Sequence, residues 1–195
     1  MERKEIFVRV GPVAWRLRHA TVRKSAEGQT SFSMHLFQIT SFEEQYTSAI
    51  CQLILNIQQN EFKVPISLAD QPDLLIISSI YQQNSGNFWV ALAEGVVIGS
   101  IGLIDCGDGI GCIRKMFVRE DWRGKNRGVG QQLLDTLENW AMEHGMSSLY
   151  LGTIERLQAA IHFYVRNGFT PVAPANLPAS FPRMAVDTHF FGKRL

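Results

Sequence analysis

Hydrophobic and polar residues recur along the chain with two periods, which separate predicted helices from predicted strands. The run over residues 34–40 predicts a short strand. Ser41 followed by Glu44 is a capping-box pattern, so a helix is expected to begin there. Beyond it, isoleucine and leucine recur three and four residues apart on a face that should pack on the core: Ile50, Leu53, Ile54 and Ile57. A second, short helix is expected over 74–81.

The middle of the chain has the pattern of neighbouring strands. Residues 88–93 and 96–104 flank the turn Glu94-Gly95 and predict a β-hairpin. The turn Asp108-Gly109 then leads into a third strand over 111–118. The expected result is three adjacent antiparallel strands.

Helices and strands alternate in the second half. A long helix is predicted over 128–144, with one apolar face, and it ends at Gly145. A strand (147–151), a helix (156–166), a strand (169–172) and, after a proline-rich loop, a last strand (184–191) follow. This order predicts an α/β (α+β) fold, a mixed sheet flanked by helices.

Length and composition exclude several classes of protein. The 195 residues correspond to about one domain, and a hydrophobic content of 46% is ordinary for a chain with a buried core. No apolar run approaches the ~20 residues that span a bilayer, so no membrane association is expected. A net charge of +1 gives no overall field that favours nucleic acid. The three cysteines have no metal-site or redox spacing, so reduced thiols in a cytoplasmic protein are expected.

The first residues differ in charge from the rest. Residues 1–33 hold seven Lys and Arg against three Glu. We therefore predict two parts: a basic N-terminal extension (1–33), either disordered or an arm that binds polyanions, and a folded domain over 34–195.

The loop before the long helix is the segment most indicative of chemistry. A strand ending at Met116, Phe117 and Val118 leads through a glycine-containing loop into a helix N-terminus, where free N–H groups attract anions. No acidic residue occurs from Trp122 to Leu134. Cations stand at the positive end of the helix dipole instead: Arg123, Lys125 and Arg127. A phosphate ligand would balance this arrangement; a solvated basic loop is the alternative. The segment fits neither a P-loop nor a dinucleotide fingerprint, because Asn126 follows Lys125 and Leu133 stands where a third glycine belongs.

Two motifs resemble the GNAT superfamily of N-acetyltransferases. The pyrophosphate-binding pattern of that family, [QR]-x-x-G-x-[GA], is similar to Lys125-Asn126-Arg127-Gly128-Val129-Gly130, with Lys125 as a departure that Arg123 could compensate. The family's A-x-x-x-Y-x-x-x-G-F segment resembles residues 160–169, with its tyrosine at Tyr164. The resemblance covers residues 34–195.

The resemblance implies a mostly antiparallel sheet in which a splayed pair of parallel strands holds acetyl-CoA. Its pyrophosphate would lie on the backbone amides of Asn126 to Gln131, and its pantetheine arm would pair with Met116, Phe117 and Val118. Tyr164, protonated at neutral pH, would protonate the departing coenzyme A sulfur. The implied function is direct acetyl transfer in a ternary complex to a primary amine of a small molecule or peptide, without a metal.

The family's usual acidic and amide positions are missing. Leu157, Gly152 and Cys112 stand where many members carry Asn, Glu and Glu. Candidate bases are therefore Glu61, Asp70, Asp105 and Glu155, or a water relay, and His162 is expected to face solvent. A non-catalytic coenzyme A-binding module is the alternative function. The last strand offers an edge for pairing, so a homodimer is among the expected states.

Overall fold

The structure is a computed structural model that describes residues 37–195 and the backbone of four short strands before them. These strands are β1 (Phe7–Val10), β2 (Val13–Arg16), β3 (Val22–Lys24) and β4 (Thr30–Phe32). β1 pairs with β2, and β3 pairs with β4, both antiparallel. The chain divides into two units, Met1–Leu36 and Phe37–Leu195. The predicted extension (1–33) and its polyanion role fall outside the described residues, apart from these strand backbones.

The second unit is built on one seven-stranded sheet. Its strands lie in the order β10-β11-β9-β8-β7-β6-β5, and their bounds are β5 (Gln38–Ser41), β6 (Asn87–Ala93), β7 (Val96–Asp105), β8 (Ile110–Val118), β9 (Ser148–Thr153), β10 (Thr170–Pro171) and β11 (His189–Arg194). Its helices are α1 (Thr47–Leu55), α2 (Ile77–Tyr81), α3 (Val129–Glu143) and α4 (Gln158–Arg166). Only β8 and β9 pair in parallel among the strands of this sheet, so the predicted mixed, mostly antiparallel sheet is confirmed.

Strand β6 shows why the sheet is covered on both sides. All seven of its residues are buried. Because side chains alternate along a strand, Trp89 and Ala91 face one core cluster, whereas Phe88 and Val90 face another. The first cluster includes the buried face of α3 and the second includes the predicted stripe of α1. After Asn87, the strand is therefore apolar from Phe88 to Ala93, as expected when both faces of a sheet are packed.

The parallel strands β8 and β9 separate towards their C-terminal ends. Their register runs only from Ile110 opposite Ser148 to Ile113 opposite Leu151. β8 continues to Val118, and it contains one extra residue relative to β7, since the register shifts between Ser100 and Gly102. A gap therefore opens beside the last residues of β8, as predicted for a splayed pair.

Two predicted element boundaries are wrong. Ser41 does not cap a helix, because it pairs with Trp89 in the sheet and its hydroxyl accepts a hydrogen bond from Asn87 at 3.3 Å. The chain instead forms a 3-10 turn at Glu44–Tyr46 before α1 begins at Thr47. The last strand begins at His189 rather than at residue 184. Residues 184–187 form a turn, in which the Asp187 N–H donates to the Met184 carbonyl at 3.1 Å.

The prediction of three reduced cysteines is also wrong. Cys106 and Cys112 are joined by a disulfide, whereas Cys51 is free and buried. The two bonded residues lie on either side of the β7–β8 turn at Gly107–Gly109. Antiparallel pairing across this turn brings them together, and spacing along the chain does not reveal it.

Candidate active site

A glycine-containing loop connects the splayed end of β8 to the N-terminus of α3. Gly124 (φ 95°) and Gly128 (φ 70°) adopt left-handed backbone conformations, and Gly128 is the N-cap of α3. The first N–H groups of a helix have no partner within it, so those of Val129, Gly130 and Gln131 are presented at this end. The loop and helix thus form a site suited to an anion.

A groove of about 1590 Å³, including its open mouth, lies along this helix terminus. It runs from the loop, past the end of β8, to α4. It is lined by nine of the predicted site residues: Met116, Phe117, Val118, Arg123, Lys125, Gly128, Gly130, Gln131 and Tyr164. The structure therefore brings most of the predicted cofactor-binding residues and the predicted catalytic tyrosine to one groove, while their roles stay predictions.

Three of the predicted residues do not line the groove with their side chains. Val129 is fully buried in the core beneath α3. Asn126 and Arg127 are exposed, and the Arg127 guanidinium lies over the Trp122 ring at 4.9 Å. The residues of the first turn of α3 that do line the groove are Gly130 and Gln131.

Arg123 is already occupied within the protein. Its Nε donates to the Val118 carbonyl at 2.6 Å, and its Nη2 forms an ion pair with Glu61 at 2.6 Å. Arg123 thereby connects the end of β8 to the π-helical segment Asn56–Glu61 that follows α1. Lys125 is exposed and lines the groove, so it is the loop cation best placed for an incoming anion.

Tyr164 lies on the buried face of α4. Its side chain packs in the core beneath the groove, and its hydroxyl donates to the Met116 Sδ at 3.2 Å. Burial raises the pKa of this hydroxyl well above its ordinary value. The group is therefore a neutral hydrogen-bond donor at physiological pH, and it points at the end of β8.

Residues of α4 and its N-cap, Leu157, that were not predicted to belong to the site also border the groove. They are Leu157, Ala159, Ala160, His162, Phe163 and Arg166. His162 and Arg166 are exposed, as expected for His162, yet they lie at the groove edge. The position of these two residues follows from the three-dimensional arrangement of α4 and the loop. The sequence shows which side chains share one face of a helix, but it does not show which other element lies beside that face.

A second, smaller cavity of about 870 Å³ lies between β8, the end of β9 and the turn before β11. It shares a wall with the groove, made of Phe62, Met116, Phe117, Leu157, Ala160 and Tyr164. Its remaining lining is mixed, with polar side chains at Gln58, Gln71, Arg114, Lys115, Thr153 and Asp187. Two molecules bound in the two spaces would therefore meet beside Tyr164.

A buried charge pair stands in the floor of the smaller cavity. Lys115, in the bulge of β8, is 5% exposed and lies 3.3 Å from the Asp73 carboxylate. Its Nζ also donates to Gln71 at 2.8 Å, and Tyr81 donates to Asp73 at 2.6 Å. Burial lowers the pKa of Lys115, although Asp73 opposes this shift, and burial raises the pKa of Tyr81.

Comparison with known proteins identifies the family. Residues 51–169 match the family model described as the acetyltransferase (GNAT) family. The chain belongs to this family. Its domain is thus an acyltransferase domain of the GNAT type, as predicted.

The relatives of this GNAT domain align with it over different shares of their own length. A GNAT-family acetyltransferase structure from Staphylococcus aureus Mu50 is 35% identical, with a TM-score of 0.78 over 81% of this chain and 98% of that one. The probable N-acetyltransferase family 8 member 5 of Mus musculus is 27% identical over 71% of this chain and 64% of its own. PaiA N-acetyltransferase of Thermoplasma acidophilum, solved in complex with coenzyme A, shares the fold at 16% identity, with a TM-score of 0.62 over 82% of this chain and 99% of that one. The chain spans 29% to 64% of the length of the curated relatives it matches.

The candidate bases predicted for this GNAT domain do not line the smaller cavity. Glu61 is paired with Arg123, and Asp70 is exposed and accepts hydrogen bonds from Ser67, which lower its pKa. Asp105 accepts from the backbone of Ser85 and Gly107. Glu155 is exposed. None of the four is among the residues that line this cavity.

Two further findings concern residues 37–195 of this domain. Within that range, no cluster of three or more His, Cys, Asp or Glu could hold a metal ion. None of the helices described there has the length and apolar character needed to cross a bilayer.

Proposed function

We propose that this chain transfers the acetyl group of acetyl-CoA to a primary amine of a small molecule or peptide, by direct attack in a ternary complex. The observation that carries the proposal is the wall shared by the groove and the smaller cavity. A cofactor in the groove and an acceptor in the cavity would reach the same point, next to Met116 and Tyr164. Simultaneous binding of both substrates favours direct transfer over a covalent enzyme intermediate.

Coenzyme A would bind with its pyrophosphate at the N-terminus of α3. The N–H groups of Gly130 and Gln131 and the charge of Lys125 would meet the phosphate oxygens. A methyl group at Gly130 would make only ordinary contacts, with Met116 and Phe163 at 3.6 and 3.8 Å, so packing within the protein does not require glycine there. Its missing side chain lets a ligand approach the helix backbone closely. A solved protein of the same fold holds coenzyme A, which supports this choice of ligand.

The acyl-bearing arm would lie along the last residues of β8. One edge of this segment pairs with β7, through Phe117 opposite Ser100 and Val118 opposite Gly99. Its other edge faces the gap left by β9, whose pairing with β8 ends at Ile113. Backbone groups on that edge would bind the pantetheine amides and the thioester oxygen.

Tyr164 would act on the leaving group. Its present acceptor, a methionine sulfur, is weak, so the hydroxyl is ready to donate to the thioester sulfur instead. As the acceptor nitrogen bonds to the carbonyl carbon and the carbon–sulfur bond breaks, the hydroxyl would donate to the developing thiolate and protonate it. The hydroxyl would regain its proton from the nitrogen, directly or through water.

Calorimetry with coenzyme A tests the cofactor site. We expect Lys125→Ala to weaken binding about tenfold, because it removes a charge-assisted hydrogen bond to phosphate. Arg127→Ala, the matched control, should weaken binding by roughly threefold or less, because this guanidinium lies over Trp122 and contributes only its distant charge. Equal effects of the two variants would contradict the placement of the phosphate.

Thiol release from acetyl-CoA in the presence of amines tests the activity. Wild-type protein is expected to release thiol faster with amine than without it. Binding of coenzyme A without turnover on any amine would favour the non-catalytic module, and no heat of binding would overturn the cofactor site itself.

A further inference from the structure

The turn that precedes β11 places the carboxylate of Asp187, which has no role in the function proposed above, at the smaller cavity. The Thr188 N–H donates to the Thr153 carbonyl at 2.9 Å, and Phe190 then pairs with Gly152. Asp187, just before this pairing begins, is held by its N–H bond to Met184. Its position is thus fixed by backbone contacts on both sides.

The carboxylate of Asp187 lies directly against the backbone of Gly152 in β9. A side-chain Cβ on Gly152 would come within 2.6 Å of the Asp187 Cγ and closer still to its Oδ2. Gly152 does not have a positive φ, so its backbone conformation does not require glycine. A larger residue there would therefore have to displace the Asp187 carboxylate.

Asp187 lines the smaller cavity together with Met116 and Tyr164. It is partly buried. Charged or titratable groups that line the same cavity are Arg114 and Lys115 of β8 and Tyr164 of α4. Lys115 is already paired with Asp73, and Arg114 donates to the Pro182 carbonyl at 3.0 Å. Asp187 is therefore the carboxylate that borders the space proposed for the acceptor.

We propose that Asp187 is the general base of the transfer, which takes one proton from the acceptor ammonium. The inference rests on the proposed function, since it needs an amine in the smaller cavity. An alkyl ammonium has no lone pair, so it must lose a proton before its nitrogen attacks the thioester. The proton passes to an Asp187 oxygen, which leaves a neutral amine and a neutral carboxyl, and it goes to solvent after the product departs.

The environment of Asp187 suits this step. Burial raises the pKa of the carboxyl above its ordinary value, although Arg114 and Lys115 act in the opposite direction. A higher pKa makes the Asp187 carboxylate a stronger base than an ordinary aspartate. Because the folded-state pKa is raised, ionisation costs stability as the pH rises through that value. Asp187→Asn is therefore expected to melt at the same temperature as wild type at pH 7, or higher.

The test uses two probe nucleophiles with acetyl-CoA. 2-Phenylethylamine is an ammonium ion at neutral pH, whereas hydroxylamine is largely unprotonated. With the first probe, we expect Asp187→Asn to lower kcat about 10²-fold, and with hydroxylamine less than about tenfold. In Asp187→Asn, the decrease of kcat at acidic pH with 2-phenylethylamine should also disappear. Instead, kcat should rise towards alkaline pH, where the free amine is abundant. A merely structural role would affect both probes equally.

Gly152→Ala provides a second variant that keeps the carboxylate but displaces it. As a single variant, Gly152→Ala should lower kcat for 2-phenylethylamine by about tenfold or more. In the double variant with Asp187→Asn, it should have little further effect. The matched control is Asp108→Asn. Asp108 is an exposed aspartate in the β7–β8 turn, near the N-terminal end of β8, whereas the site lies at the C-terminal end of that strand. Its replacement should leave the rates with both probes unchanged.

The outcomes separate this inference from the function on which it rests. Unchanged rates in Asp187→Asn, or equal losses with both probes, would overturn the role of Asp187 while the transferase activity stands. Wild-type protein that releases no thiol with either probe would overturn the proposed function and, with it, this inference. A loss confined to the ammonium probe supports the assignment.

Discussion

Replacing Tyr164 with phenylalanine is expected to lower kcat for acetyl transfer by about 10² to 10³-fold. The substitution removes the single hydroxyl that points at the end of β8 from α4 and leaves the buried ring in place. Because burial raises the pKa of this hydroxyl, full proton transfer to sulfur is costly until negative charge has developed there. Its hydrogen bond therefore strengthens in the transition state, and kcat should fall while the affinity for coenzyme A changes little.

Steady-state kinetics with acetyl-CoA, beside calorimetry with coenzyme A, measures this effect. Tyr150→Phe is the matched control, because Tyr150 lies on the adjacent strand β9 and is absent from the lining of both cavities. It should change kcat by about twofold or less. A Tyr164→Phe variant with wild-type kcat would remove Tyr164 from the mechanism.

Replacing Asp73 with alanine is expected to lower the free energy of unfolding by about 3 kcal/mol at pH 7. The change leaves the Lys115 ammonium, 5% exposed, without its ion-pair partner. It also removes the acceptor of the fully buried Tyr81 hydroxyl. Removing one partner of a buried pair costs more than the pair contributes, because the remaining charge stays desolvated.

Urea unfolding at several pH values measures this loss and its cause. Without Asp73, the pKa of Lys115 falls further below its unfolded value, so the folded state binds fewer protons than the unfolded state. Stability of the variant should then rise with pH on the alkaline side of neutrality, and its deficit should shrink. Asp121→Ala is the control: its 2.7 Å ion pair with Arg119 is shorter but exposed, so its loss should be much smaller. Equal losses would contradict the dependence on burial.

Local periodicity predicted the elements that pack against the sheet. The stripe on α3 is confirmed, since Val129, Leu133, Leu134, Leu137 and Ala141 are fully buried. The hairpin from β6 to β7 and the third strand β8 are confirmed with nearly the predicted bounds. These features depend on which face of an element is apolar, and that information is contained in a few neighbouring residues.

Features that depend on distant partners were mispredicted or missed. A strand was predicted over residues 184–191, yet Met184 and Val186 line a cavity and the strand begins only at His189. The role proposed for Asp187 depends on Gly152, which precedes it by a whole helix and loop. A glycine in a strand was the available signal, and it indicates a close approach without naming what approaches.

The sequence by itself determined the family, the order of helices and strands, and the glycine-containing loop at the start of α3. Each of these is local, because hydrophobic period, turn residues and motif spacing act within a few residues of one another. Only the tertiary structure decided that Arg123 is engaged by Glu61 while Lys125 stays exposed, that Lys115 is buried beside Asp73, and that Asp187 lines the smaller cavity. Those choices follow from packing across the sheet, where free energy depends on pairs of residues far apart in the chain.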